Sequence, residues 1–278
     1  MKFFRNREDS EHKSQAELLY EAQQRKARQF QASVIFSWIF LLLFLYILFS
    51  GDNLGLNAIH LDTEFISKNI AFIASGIGVT IYISLLSIAL AVILALLAAL
   101  GRLSSFPPFY ALSTFYVSLI RGTPLYLQIF FFFLALPQLG IVLPGLWAGV
   151  LALGLNYGAY MSETFRAGLS SVGKGQREAA FALGMTQGQM MKRIVLPQAL
   201  RFAIPPMRND FIAMTKDSAL VSATGFVHEL MWRATRVGRS NLRNMEALIM
   251  AAIFYWIVTL ILTAIQSRIE ARLGRGDR

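Results

Sequence analysis

Apolar residues in this chain collect in long uninterrupted blocks, and a run of roughly 18 or more with few charges has the length to cross a bilayer. Six blocks are readable, at about 30–49, 70–100, 110–136, 146–165, 194–214 and 247–265. Of all residues 55% are apolar and only 15% charged, against roughly 25% charged in an ordinary soluble domain. The expected fold is therefore an all-α integral membrane protein with about six transmembrane helices.

The formal charge of +10 raises nucleic-acid binding, but the basic residues lie mainly between and beside the apolar blocks and line no soluble face. Positive-inside topology accounts for most of them. Residues 1–29 carry Lys2, Arg5, Arg7, Lys13, Arg25, Lys26 and Arg28 ahead of the first block and read as a basic cytosolic tail. They do not read as a signal peptide, since no small-residue cleavage site follows. A first span over 30–50 and a basic C-terminal tail, 269–278, put both ends on the cytosolic side. One segment fits poorly: 216–243 is expected outside yet carries Lys216, Arg233, Arg236, Arg239 and Arg243. Cysteine is absent, which excludes disulfides, thiol nucleophiles and thiolate metal sites.

Two blocks carry their own breaks. Gly122 and Pro124 interrupt the third, as a hinge or as an ordinary proline kink. Pro197, Pro205 and Pro206 fall in the fifth, which is expected to be bent or broken, and broken spans often line cavities. Ionisable and polar groups at membrane depth are costly and mark a pathway or an ion pair. Asn156, Glu163, Asn209, Asp210, Lys216 and Asp217 are the candidates for a substrate pathway or gate. The competing structural readings are a Glu163–Arg166 pair at helical spacing, interhelical hydrogen bonds at Asn156 and Tyr157, and a mutual or interhelical salt bridge at Lys216 and Asp217.

The longest interior loop, 176–193, has the grammar of two short helices. Gln176 to Leu183 tolerates helix, and Gly184 is placed to end it in the left-handed conformation. Thr186, three residues before Gln189, has capping-box spacing for a second helix that Pro197 ends or redirects. Ala179, Ala180 and Ala182 keep the first helix thin, while Phe181, Leu183 and Met185 offer apolar anchors. Such a helix either inserts into a groove on a partner or lies on the membrane surface.

The string E-A-A from Glu178, followed by Gly184 and then by I-V-L-P, resembles the cytosolic signature of the permeases of binding-protein-dependent ABC importers. S-L-I-R-G-T-P-L-Y-L-Q from Ser118, L-N-Y-G-A-Y-M-S-E-T-F-R-A-G from Leu155, L-P-Q-A-L-R-F-A-I-P-P from Leu196 and K-D-S-A-L-V-S from Lys216, with Glu246 and Tyr255, are similar to its polar amino acid branch. The resemblance covers about 76–268. It implies a type I importer transmembrane domain over 70–268, with an extra N-terminal span ahead of it. It also implies a coupling loop in which Gln176, Glu178, Ala179, Ala180, Leu183 and Gly184 meet an ATPase. The implied partners are two ATP-binding subunits, an extracytoplasmic substrate-binding protein and a second permease, identical or related. ATP and Mg²⁺ would sit on the ATPases, with no cofactor on this chain, in the cytoplasmic (inner) membrane of a bacterium.

Rival readings have little to stand on. Gly168, Gly173 and Lys174 satisfy most of a phosphate-binding loop, but Gly175 replaces the Mg²⁺-binding hydroxyl and a membrane helix precedes it in place of a strand. An intramembrane enzyme finds only scattered His12, His60 and His228 and a lone S-x-x-K at Ser171 and Lys174, with no catalytic or metal set. An ion-gradient-driven transporter accounts for buried acids and broken helices but leaves the E-A-A loop without a role.

Overall fold

The computed structural model describes residues 15–49 and 61–273, all helix and connections with no strand among them. The charged stretch before Gln15, the link containing Asp52 and His60, and Arg275 and Arg278 lie outside the described residues. The chain divides into two units, 1–62 and 63–278. In the first, α1 runs Gln15–Phe49 without interruption, because no glycine or proline occurs in it. Its 35 residues span about 50 Å at 1.5 Å per residue. The basic residues Arg25, Lys26 and Arg28 thus belong to the same helix as the apolar run.

In the second unit, α2 (Thr63–Ala74) leads into α3 (Ile77–Gly101). The third apolar block is not one rod. It forms α4 (Pro107–Arg121) and α5 (Leu125–Phe130), followed by a π turn at Phe131–Ala135 and a 3₁₀ turn at Leu136–Leu139, and the two arms meet at 106°. Pro124 disfavours helical backbone at Thr123 and offers no donor to the turn before it. The orphan carbonyls at the end of α4 are taken up by one side chain: Gln128 Nε2 donates to the Ile120 carbonyl at 2.8 Å and the Thr123 carbonyl at 3.1 Å.

α6 (Gly145–Ser171) is the central helix, packed between α3 and α9 (Leu196–Asp217). Small residues allow the approach, as is usual between membrane helices. Ala91, Ala95 and Ala99 repeat at i, i+4 and i+8 along α3 and are fully buried. A Cβ on Gly168 would lie 2.8 Å from the Ala199 carbonyl of α9. Among the described residues, three stretches, Leu19–Phe44, Thr63–Gly101 and Asn244–Arg268, are long and apolar enough to cross a membrane, and the bent α4–α5 pair is a fourth if counted as one span. The sequence expectation of six rests on α6 and α9 as well. Both have the length, but the glycines and polar side chains of α6 and the charged residues of α9 keep them below that apolarity.

The expected break in the fifth block is displaced. α9 continues unbroken through Pro205 and Pro206, and the irregularity lies ahead of it, in a π turn at Met191–Val195. That turn shifts the register so that Pro197 falls at the second position of α9, where no intrahelical donor is required. Pro197 therefore redirects the chain without ending the helix.

A 3₁₀ turn (Ser218–Thr224), α10 (Leu230–Ser240) and α11 (Asn244–Leu273) complete the unit. Glu229 pins them together. It is fully buried and caps α10, accepting from the Trp232 and Met231 amides at 2.6 and 2.9 Å, from the Tyr255 hydroxyl of α11 at 2.7 Å and from Thr80 of α3 at 3.4 Å. Burial pushes its carboxyl above the usual carboxylate range, and the four donors oppose that shift. Glu229→Ala strips the cap and strands buried donors, an expected loss of about 2–4 kcal/mol, readable as a lower unfolding temperature of the detergent-solubilised protein.

Candidate functional site

Two regions of the second unit bring the sequence candidates together. The first is the loop after α6. α7 covers Lys174–Ala182, and Gly184 follows at φ +74, a left-handed conformation that glycine adopts without Cβ strain. Thr186 and Gln189 form the expected capping box, at 3.3 and 2.9 Å, and start α8 (Gln187–Met190).

Gln176, Glu178, Ala179, Leu183 and Gly184 are exposed, whereas Ala180 is buried against its own chain. Ala180 therefore packs inward, on the face opposite the exposed surface. Phe181 and Leu183 stand 52% and 78% exposed, a costly arrangement for an apolar pair unless it is covered. Two hydrogen bonds tie the loop to the bundle. Arg177 donates to the Leu169 carbonyl of α6 at 2.5 Å, and Gln198 of α9 donates to Gln176 Oε1 at 2.8 Å. α7 is thus bonded to both α6 and α9.

The same two helices wall the second region, a cavity of about 620 Å³ lined by Arg121, Gly122, Thr123, Pro124, Leu125, Asn156, Tyr157, Tyr160, Asp210, Ala213 and Asp217. The α4–α5 break supplies one side of it. Asn156 donates to Gln128 Oε1 at 3.2 Å, so the side chain that closes the break also holds a cavity residue. Tyr157 donates to Asp217 Oδ2 at 2.8 Å. The Asp210 carboxylate, half-buried on the same wall, makes no hydrogen bond to another described residue.

Of the sequence candidates, Asn156, Asp210, Asp217, Gly122 and Pro124 meet here. Asn209 and Lys216 are exposed and off the wall, and Pro205 and Pro206 lie in α9 away from it. Of the two readings for Lys216 and Asp217, the mutual pair does not form, and Asp217 instead makes an interhelical hydrogen bond to Tyr157. Tyr160 and Gln128 were not legible as site residues, although Tyr160 lies one turn beyond Asn156 on the same face of α6.

Glu163, one turn further along α6, sits in a charge cluster beside the cavity. It pairs with Arg166 at 3.0 Å as its spacing predicts, and also with Arg102 at 2.6 Å and Arg121 at 3.1 Å. The two additional arginines come from α4 and the residue after α3, a convergence that spacing within one helix does not reveal.

The near-match to a phosphate-binding loop dissolves in three dimensions. Gly168 lies inside α6, packed on α9, and Gly173 and Lys174 open α7, so there is no strand-to-helix loop to hold a phosphate chain.

Residues 91–275 match the family of binding-protein-dependent transport system inner membrane components. The chain is 40% identical over 219 residues, 78% of its length and 100% of the relative's, to the arginine transport system permease protein ArtQ of Bacillus subtilis (strain 168). It is 42% identical over 204 residues, 73% of its length and 87% of the relative's, to the L-cystine transport system permease protein TcyB of the same organism. In fold it resembles a chain from the crystal structure of an amino acid ABC transporter with histidines, with TM-score 0.70, 35% identity, and coverage of 76% of this chain and 99% of that one. Sequence, helical architecture and match length agree: this chain belongs to the family of binding-protein-dependent transport system inner membrane components.

Proposed function

We propose that this chain is the permease subunit of an ATP-driven importer that carries a polar amino acid, by preference a cationic one, into the cytoplasm by alternating access. The observation that carries this reading is the polar cavity between α6, α9 and the α4–α5 break, in a chain of this transport family. Its charged lining is two carboxylates, Asp210 and Asp217, against one guanidinium, Arg121. That balance favours a solute with a net positive charge. The relative named for arginine transport, matched over its whole length, supports the same cargo class.

In this reading two ATP-binding subunits dock on α7 and hold ATP and Mg²⁺. A second permease, a copy or a relative, completes the path, and an extracytoplasmic substrate-binding protein delivers the cargo. The assembly lies in a bacterial inner membrane with both termini of this chain cytosolic. Closure of the ATPases moves α7, and the bonds from Arg177 to α6 and from Gln198 to Gln176 carry the motion to the helices that wall the cavity. This is a two-state coupling of separate sites.

The test is a mild-detergent pull-down from native membranes with mass spectrometry of the co-purifying proteins. An ATPase bearing a complete phosphate-binding loop is expected with the wild type and absent with correctly inserted Gly184→Trp. Purification of the intact chain without any ATPase, under conditions that preserve other membrane complexes, contradicts the reading.

A further inference from the structure

The basic segment between α9 and α11 is the part of the chain that positive-inside topology does not explain. In the six-span topology α9 crosses away from the side that carries α7 and α11 returns, so α10 stands at the opposite surface, where arginines are disfavoured. Leu230, Ala234 and Gly238, spaced four apart, are buried and pack α10 inward. Trp232, Thr235, Arg236 and Arg239 share its outer face. With Tyr126 and Ser240 they line a cavity of about 790 Å³ whose lining includes no carboxylate among the described residues. Two other arginines of the segment are engaged: Arg233 donates to the His228 carbonyl at 2.9 Å and lies over the Phe72 ring, 4.9 Å from its centroid, and Arg243 pairs with Glu246 at 3.6 Å. The guanidiniums of Arg236 and Arg239 make no hydrogen bond or ion pair to another described residue. Three apart on one helix face, they repel each other. The rest of the wall is fixed. Trp232 Nε1 donates to the Gly225 carbonyl at 2.9 Å, and its ring stacks on His228 at 3.8 Å. The Thr235 and Ser240 hydroxyls donate to the Met231 and Arg236 carbonyls at 2.9 Å each, which leaves their oxygens as acceptors on the cavity wall.

We propose that this cavity binds the phosphodiester headgroup of an anionic phospholipid, phosphatidylglycerol. The forks of Arg236 and Arg239 take the phosphate oxygens, and the phosphate relieves their mutual repulsion. The Thr235 and Ser240 oxygens accept from the glycerol hydroxyls. Trp232 and Tyr126 are amphipathic rings of the kind that settle at headgroup level, and basic pockets beside membrane helices suit lipid phosphates. The acceptors decide between a lipid and an acidic protein surface, because a carboxylate side chain has no hydroxyl to offer them. This cavity and the one between α6, α9 and the α4–α5 break share no lining residue, so the inference stands apart from the cargo reading.

The test titrates the purified full-length permease, in non-ionic detergent micelles, with radiolabelled phosphatidylglycerol and with radiolabelled diacylglycerol of the same acyl chains, which lacks the phosphate and its headgroup. The wild type is expected to bind phosphatidylglycerol about tenfold or more tighter, the worth of a charge-assisted bidentate contact. Arg236→Gln and Arg239→Gln each lower that ratio, and the double variant brings it to about one. Both arginines are exposed, so the single variants carry the test if the double variant fails to fold. Lys68→Gln removes a positive charge from exposed α2 surface outside the cavity and keeps the wild-type ratio. A ratio unchanged in both single variants overturns the assignment. Competition by soluble glycerol phosphate at the affinity of the lipid assigns the arginines to a free phosphate ester and overturns the lipid. A wild type with no preference for phosphatidylglycerol also overturns the proposal and leaves the two arginines to an acidic protein partner.

Discussion

Glu178→Lys and Gly184→Trp are each expected to reduce ATP-dependent uptake to background while the chain still inserts and folds. Glu178 is exposed on the first turns of α7, so a lysine there costs the permease little by itself. Its effect falls on the surface that would face an ATPase, where reversing a charge in a docked contact costs about 2 kcal/mol or more, roughly thirtyfold in affinity. Gly184 acts through the backbone: at φ +74 a tryptophan forces strain of about 1 kcal/mol or a rearranged turn. It also puts a bulky ring beside exposed Phe181 and Leu183. Co-purification of the ATPase and uptake into vesicles should fall together, whereas thermal stability of the permease should fall little. Full uptake with either correctly inserted variant contradicts the assignment of α7 as the docking element.

Asp217→Asn and Asp210→Asn should remove the preference for cationic over neutral polar amino acids. Each replaces a carboxylate on the cavity wall by a neutral amide of the same shape, so a cationic cargo loses one charge-assisted partner, about tenfold or more in affinity. A neutral cargo is expected to change much less. The two positions differ in one respect. Asp217 is held by the Tyr157 hydroxyl, and the asparagine oxygen still accepts that bond, so the packing of α6 on α9 should persist. Competition binding of arginine and glutamine to the purified assembly measures the selectivity without the contribution of an external binding protein. Equal losses for both amino acids would indicate damage to the cavity as a whole and count against a charge-reading role.

Much of this organisation was legible in the sequence because its causes are local. The apolar blocks, the Gly184 stop and the Thr186–Gln189 capping box each depend on residues within a few positions of one another, and the structure carries all of them. The Glu163–Arg166 pair was legible for the same reason. Arg102 and Arg121, 61 and 42 positions away, were not, since only the packing of α3, α4 and α6 brings them to the same carboxylate. Proline in the fifth block misled in the opposite direction. Local chemistry predicts a bend or a break at Pro205 and Pro206; α9 stays helical through both, and the irregular turn lies ahead of Pro197. At Gly122 to Pro124 the same local chemistry does produce a break, and Gln128 stabilises it by taking the freed carbonyls. Lys216–Asp217 looked like a pair in sequence, yet the tertiary fold gives Asp217 to Tyr157.

Reconstitution in liposomes separates import through this chain driven by ATP hydrolysis on partner subunits from transport driven by an ion gradient. The permease and its co-purifying ATPase would be reconstituted with ATP enclosed on the cytoplasmic side and the binding protein with radiolabelled arginine outside. Uptake of arginine that requires ATP and the binding protein, and that survives collapse of proton and sodium gradients by ionophores, is the predicted result. Uptake by the permease alone that persists without ATP and disappears with the ion gradient would contradict it and identify an ion-driven transporter instead.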